Sequence, residues 1–214
     1  MRLMSGVLLL TILVAARPAS AQTCLGAPSF RVAPYQAGVA ASFTEGLRQV
    51  EGTFAGGGES LFAGAGVSVL NFTDIDERTA GVSAFAGAEF ATDQRNRVLL
   101  CPIVRLGFLA GPDFGPVDLS SVTLQGGGSI GVIAAEDGDL MVVPFFGLSV
   151  GYTRVSTEVA GIEESDSDTG GVADLGVGLI LTRTVGITPQ VSIPFSSGGS
   201  DAVFTIRFTF QFGR

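Results

Sequence analysis

From Tyr35 to the C-terminus the chain keeps returning to one pattern, in which large apolar residues occupy every second position and small or polar residues the positions between. The last such stretch, Ala202 to Phe212, puts Phe204, Ile206, Phe208, Phe210 and Phe212 on one face. Thr205, Arg207, Thr209 and Gln211 fall on the other. A period of two is the signature of a β-strand with one apolar and one polar face. Ten segments read this way: 35–43, 50–57, 61–71, 80–91, 98–109, 121–135, 140–157, 171–182, 185–195 and 202–212. In the seventh, Leu140, Val142, Phe146, Leu148, Val150 and Tyr152 oppose Gly147, Ser149, Gly151 and Thr153. In the fifth, Val98, Leu100, Val104, Leu106 and Phe108 oppose Cys101, Arg105 and Gly107.

Composition says which face meets what. The chain is 46% hydrophobic and 15% charged, with a mean hydropathy of +0.49. Yet beyond the N-terminus no apolar run approaches the roughly 20 residues that a transmembrane helix needs. A barrel strand crosses a bilayer in about 9–11 residues, so apolar residues spread over alternating strands reconcile the two facts. The expected fold is all-β: a transmembrane antiparallel up-and-down β-barrel of ten strands, or eight if the glycine-rich second segment does not span. The 31 glycines fit strands and turns.

At the N-terminus, Arg2, the apolar run Val7 to Ala16 and Ala19-Ser20-Ala21 have the form of a cleavable secretory signal. The expected divisions are a signal peptide at 1–21, an N-terminal periplasmic segment at 22–34 and the barrel at 35–214. An even strand count brings both ends of the barrel to the periplasmic side. It also sorts the connections into short inner turns (58–60, 92–97, 136–139, 183–184) and mostly longer outer loops (73–79, 110–120, 158–170, 196–201), the asymmetry of outer-membrane barrels. On that orientation Phe43, Phe108, Tyr152, Phe195 and Phe204 would form an outer aromatic girdle, and Tyr35, Phe90 and Phe212 an inner one.

Signal, alternating strands, loop asymmetry and an aromatic last strand together resemble the small outer-membrane β-barrel domain proteins, a superfamily that includes the eight-stranded OmpA and OmpX types. The resemblance runs from about Ala33 to the C-terminus and implies fold and location, not an activity. It also implies that the last strand is read by the barrel insertion machinery, with Phe208, Phe210 and Phe212 as the signal. The family usually finishes on the aromatic, whereas Gly213 and Arg214 follow here. Outer-membrane lipid and the insertion machinery are the implied partners.

Three groups of residues stand out as candidate sites. Cys24 and Cys101, the only cysteines, belong to an oxidising compartment and are expected to form a disulfide, which would pin the N-terminal segment to the barrel's lower opening. By loop closure it contributes about 4 kcal/mol as an upper figure. Glu89, Arg105, Asp174 and Arg207 lie at inward positions and are expected to form a lumen charge network, since unpaired charge in a narrow lumen is costly. Glu158, Glu163, Glu164, Asp166 and Asp168 make the longest outer loop acidic. Calcium would suit clustered carboxylates, but Asp166-x-Asp168-x-Gly170 does not continue as a calcium loop, and a solvated acidic loop with no metal is expected.

Charge and residue types narrow the function classes. The formal net charge of −8 falls to −10 on loss of Arg2 and Arg17, and no basic stripe supports nucleic-acid binding. With no histidine and no lysine, the usual base near neutral pH and the amine nucleophile are both missing, so no catalytic residues and no cofactor are expected. The reading is a non-catalytic outer-membrane barrel with an envelope-structural or surface-interaction role. A narrow pore for ions or small solutes is the first alternative and a soluble lipocalin-like ligand binder the second.

Overall fold

A computed structural model describes residues 24, 26–30, 32–58, 60–73, 77–92, 97–111, 117–159, 162–195 and 201–213. The signal segment lies outside them. Twelve strands form: β1 Tyr35–Thr44, β2 Leu47–Gly57, β3 Leu61–Phe72, β4 Glu77–Ala88, β5 Phe90–Ala91, β6 Val98–Ala110, β7 Val117–Val132, β8 Ala135–Asp137, β9 Leu140–Val159, β10 Ile162–Leu181, β11 Val185–Pro194 and β12 Val203–Phe212. All neighbours are antiparallel. β12 pairs with β1 and β9 with β10, so the sheet closes on itself and leaves no free edge.

The twelve strands make ten staves, because β5 and β8 continue β4 and β7 after a break. Each break has a local cause. Register runs from Gly87↔Ile103 to Phe90↔Leu100, so the β4–β5 gap lies opposite Pro102 and Cys101, where proline has no N–H for the ladder. Between β7 and β8 the register on β9 shifts by one residue, from Gly131↔Phe145 to Ala135↔Val142. Val132, Ile133 and Ala134 face only Val143 and Pro144 there, which makes a bulge. The glycine-rich second segment is a full stave, hydrogen-bonded to β1 and β3 along its whole length. The barrel therefore has ten strands and not eight.

Alternation sets the two walls. Far more large apolar side chains stand exposed than buried, among them Val39, Leu106, Leu148, Val150, Phe208 and Phe210. Such a continuous apolar exterior in a closed barrel is a lipid-facing surface. It is the reverse of the polar exterior that a soluble lipocalin-like barrel requires. The aromatics predicted for the two rims are exposed except Phe90, which is half-buried. At the end carrying the termini, here called the base, Tyr35, Phe54 and Phe212 cluster with ring centroids 6.1–6.2 Å apart. Phe208, Phe210 and Phe212 all lie on this outer wall.

One expected loop is a strand. Residues 158–170 were expected as a solvated acidic loop, but β9 and β10 remain paired as far as Val159↔Ile162. The two strands are 20 residues each, about twice what a membrane crossing uses. Outward apolar residues on β9 stop at Tyr152, and Arg154, Ser156 and Glu158 follow, so the rest of the hairpin rises beyond the apolar belt. The outer connections 73–79 and 110–120 are likewise shortened, by β4 starting at Glu77 and β7 at Val117. Acidic residues at every second position still allow a ladder, because paired strands place them at the solvated rim.

Candidate functional site in the lumen

The base of the lumen is filled by the segment that precedes β1. Its described residues, 24, 26–30 and 32–34, enter the barrel as a strap rather than lying across the opening from outside. Cys24 is bonded to Cys101 on β6, 77 residues away. Cys24, Ala27, Ser29, Phe30 and Ala33 are buried. The carbonyl of Gly26 accepts from Thr188 Oγ1 at 3.0 Å, and that of Pro28 accepts from Gln211 Nε2 at 3.0 Å and Gln36 Nε2 at 3.2 Å. Among the described residues these two carbonyls have no backbone partner, and barrel side chains supply the donors a buried backbone needs.

Glycine on both sides lets the strap approach so closely. Gly26 has φ +71°, and a Cβ there or at Gly178 would overlap the other residue's backbone. Phe30 stacks on Phe62 at 5.1 Å between centroids, and with Ala55, Cys24 and Cys101 forms an apolar cluster that Phe85 and Ile103 extend. A second cluster, Leu99, Ile133, Met141, Val143 and Ile180, fills the base beside it.

Charged residues occupy the lumen farther from the base. Glu51 and Arg207 flank Ala40 on the strands either side of β1. Arg105 reaches Glu51 from β6 as an ion pair and also donates to Ser83 Oγ at 3.2 Å, while Ser83 donates to Glu51 at 3.2 Å. Asp174 accepts from Ser192 Oγ at 2.5 Å. Of the four residues expected to form a lumen network, Arg105, Asp174 and Arg207 share this space. Glu89 sits at the β4–β5 break, accepts from Ser29 of the strap at 2.7 Å, and lines with Glu51, Arg105 and Arg207 the gap between the charges and the strap. Arg105 pairs with Glu51, a residue outside the expected four. Glu51 was legible in principle, because it alternates with the outward Val50 and Phe54.

Arg207 makes no ion pair or hydrogen bond among the described residues, although it stands in the field of Glu51, Arg105 and Asp174. It lines three adjoining spaces. A vestibule of about 440 Å³ reaches the mouth past Ser42, Gln49 and Leu70. A side chamber of about 200 Å³ lies against Asp174 and Gln190, and a gap of about 90 Å³ separates the charges from the strap.

Closure, an apolar outer wall and a polar lumen define a small outer-membrane β-barrel. No protein-family model matches the chain, and no curated protein is similar to it in sequence. Among solved structures it is similar to the KdgM porin, at 9% identity and a TM-score of 0.41, over 83% of this chain and 99% of that one. It is also similar to the translocator domain of the autotransporter NalP from Neisseria meningitidis, at 16% identity and 0.37, over 84% and 87%. Ail of Yersinia pestis, the attachment invasion locus protein, follows at 10% identity and 0.26, over 83% and 95%.

Proposed function

We propose that this protein is a non-catalytic barrel of the bacterial outer membrane, delivered by a cleaved signal peptide and closed at its base by its own strap. Its role is envelope-structural or surface-interacting, through the mouth and the projecting β9–β10 hairpin. The observation that carries the reading is the strap: a lumen stapled through Cys24–Cys101 and packed with Phe30 and Phe62 is not an open passage. The absence of histidine and lysine from the whole sequence supports a role without general-base or amine chemistry. Phe208, Phe210 and Phe212 on the lipid-facing wall suit a last strand read by the insertion machinery.

Two measurements test this. Detergent-extracted protein should run differently on a gel before and after boiling, as a folded barrel does; recovery in the soluble periplasmic fraction would refute the membrane reading. In planar bilayers the same folded protein should be silent under oxidising conditions. Discrete conductance would instead establish the narrow-pore alternative.

A further inference from the structure

The side chamber holds two opposite charges that do not meet. Asp174 has no cation within ion-pair reach and Arg207 no anion, among the described residues, yet both line the same space of about 200 Å³. Elsewhere in the lumen Arg105 takes Glu51. A charge in a confined lumen normally finds a counter-charge or is hydrated, and here two charges that could satisfy one another are held apart on staves β10 and β12, with β11 between them.

Between them, on β11, a third group is unsatisfied. Gln190 is buried, and its Oε1 has no hydrogen-bond partner. Its orientation is fixed by its neighbours. Asp174 as a carboxylate can only accept, so the Ser192 hydroxyl proton goes to Asp174. Ser192 Oγ then accepts from Gln190 Nε2 at 3.3 Å, so Gln190 holds Ser192 against Asp174 while its own amide oxygen is buried away from the chamber. The chamber therefore offers the Asp174 carboxylate on one side and the Arg207 guanidinium with its donors on the other.

We infer that this chamber is a binding site for a small zwitterion of the free α-amino-acid class, its ammonium group held by Asp174 and its carboxylate by Arg207. An ammonium supplies donors and no acceptor, matching the Asp174 carboxylate; a guanidinium is the side chain best shaped for a carboxylate. The volume corresponds to about six or seven waters at roughly 30 Å³ each, or one molecule of that bulk. Access is through the vestibule, whose lining shares Arg105, Gln125, Gln190, Ser192 and Arg207 with the chamber. The strap closes the other side, so the site is a blind cup that samples the mouth.

The test titrates the folded, detergent-solubilised protein with a panel from glycine to glutamine by calorimetry or ligand-observed NMR. Propionate, ethylammonium and N-acetylalanine serve as probes that each present only part of the recognition pattern. At least one amino acid should bind, and these partial probes should bind about tenfold more weakly or not at all. Asp174→Asn and Arg207→Gln should each weaken the amino acid by about tenfold or more. If no amino acid in the panel binds to protein that still shows the heat-dependent gel shift, the inference is overturned while the closed-barrel reading stands. It is equally overturned if propionate binds as well as alanine, which would make the chamber a simple anion site. The partial probes give this answer on the unaltered protein even where a variant does not fold.

Discussion

The two halves of the lumen are built on the same staves and solve opposite problems. At the base, inward positions carry Phe62, Phe85, Leu99, Met141 and Val143, and the strap completes a dry core around Phe30. Toward the mouth, inward positions carry Ser, Thr, Gln, Glu, Asp and Arg around open space. The lesson is that a narrow barrel lumen is not one environment. Where the chain supplies an apolar filler it becomes an interior like that of a globular domain, and where it supplies none, polar groups keep it hydrated.

The largest effect should come from unpinning the dry half. Replacing Cys24 and Cys101 together with serine should lower stability by up to about 4 kcal/mol, read as an earlier heat-dependent gel shift and matched by reductant on the unaltered protein. Unchanged stability would mean that packing alone seats the strap. Phe30→Ala should cost about 3 kcal/mol by emptying the centre of the cluster, with the disulfide intact.

Gly178→Val probes the close approach itself. A side chain there meets the backbone of Gly26, so the strap should lift at a cost of about 1–3 kcal/mol and become open to added protease, with the staves retained. If residues 24–34 stay protected, the contact is not what seats the strap.

In the wet half the effects should be smaller. Arg105→Met leaves Glu51 without its cation, but the Arg105 side chain is 36% exposed and cavity water softens the loss to about 1–2 kcal/mol. A cost as large as that of Phe30→Ala would show that the mouth half is as dry as the base. Smallest of all, Glu136→Ala removes the exposed 3.7 Å pair with Arg183 in the base turns and should change stability by less than about 0.5 kcal/mol.

The same division governs what could be read in advance. Strand positions were legible because a two-residue period ties each side chain to a wall, and ten staves follow from ten alternating segments. The breaks at Glu89 and at Ile133–Ala134 were harder, since they depend on which residue of a neighbouring strand stands opposite, and only register puts Pro102 and Pro144 there. The extent of the β9–β10 hairpin was missed for a related reason: Glu163 to Asp168 reads as polar loop, and pairing with residues 153–158 makes it strand. Of the charges, Glu89, Arg105, Asp174 and Arg207 were placed inward by parity. The pairing of Arg105 with Glu51 was not legible, because partnership depends on the distance across a lumen.

The sequence by itself determined the wall: which residues face lipid, which face inward, that the barrel has ten staves, and that Cys24 and Cys101 belong together. Tertiary structure alone decided what the inward residues do. Barrel closure brings Thr188, Gln211 and Gln36 around the strap's carbonyls, joins Arg105 to Glu51, and holds Arg207 apart from Asp174. The physical reason is that alternation is a local property of each strand, whereas contacts across a lumen arise only when distant strands are curved into a ring.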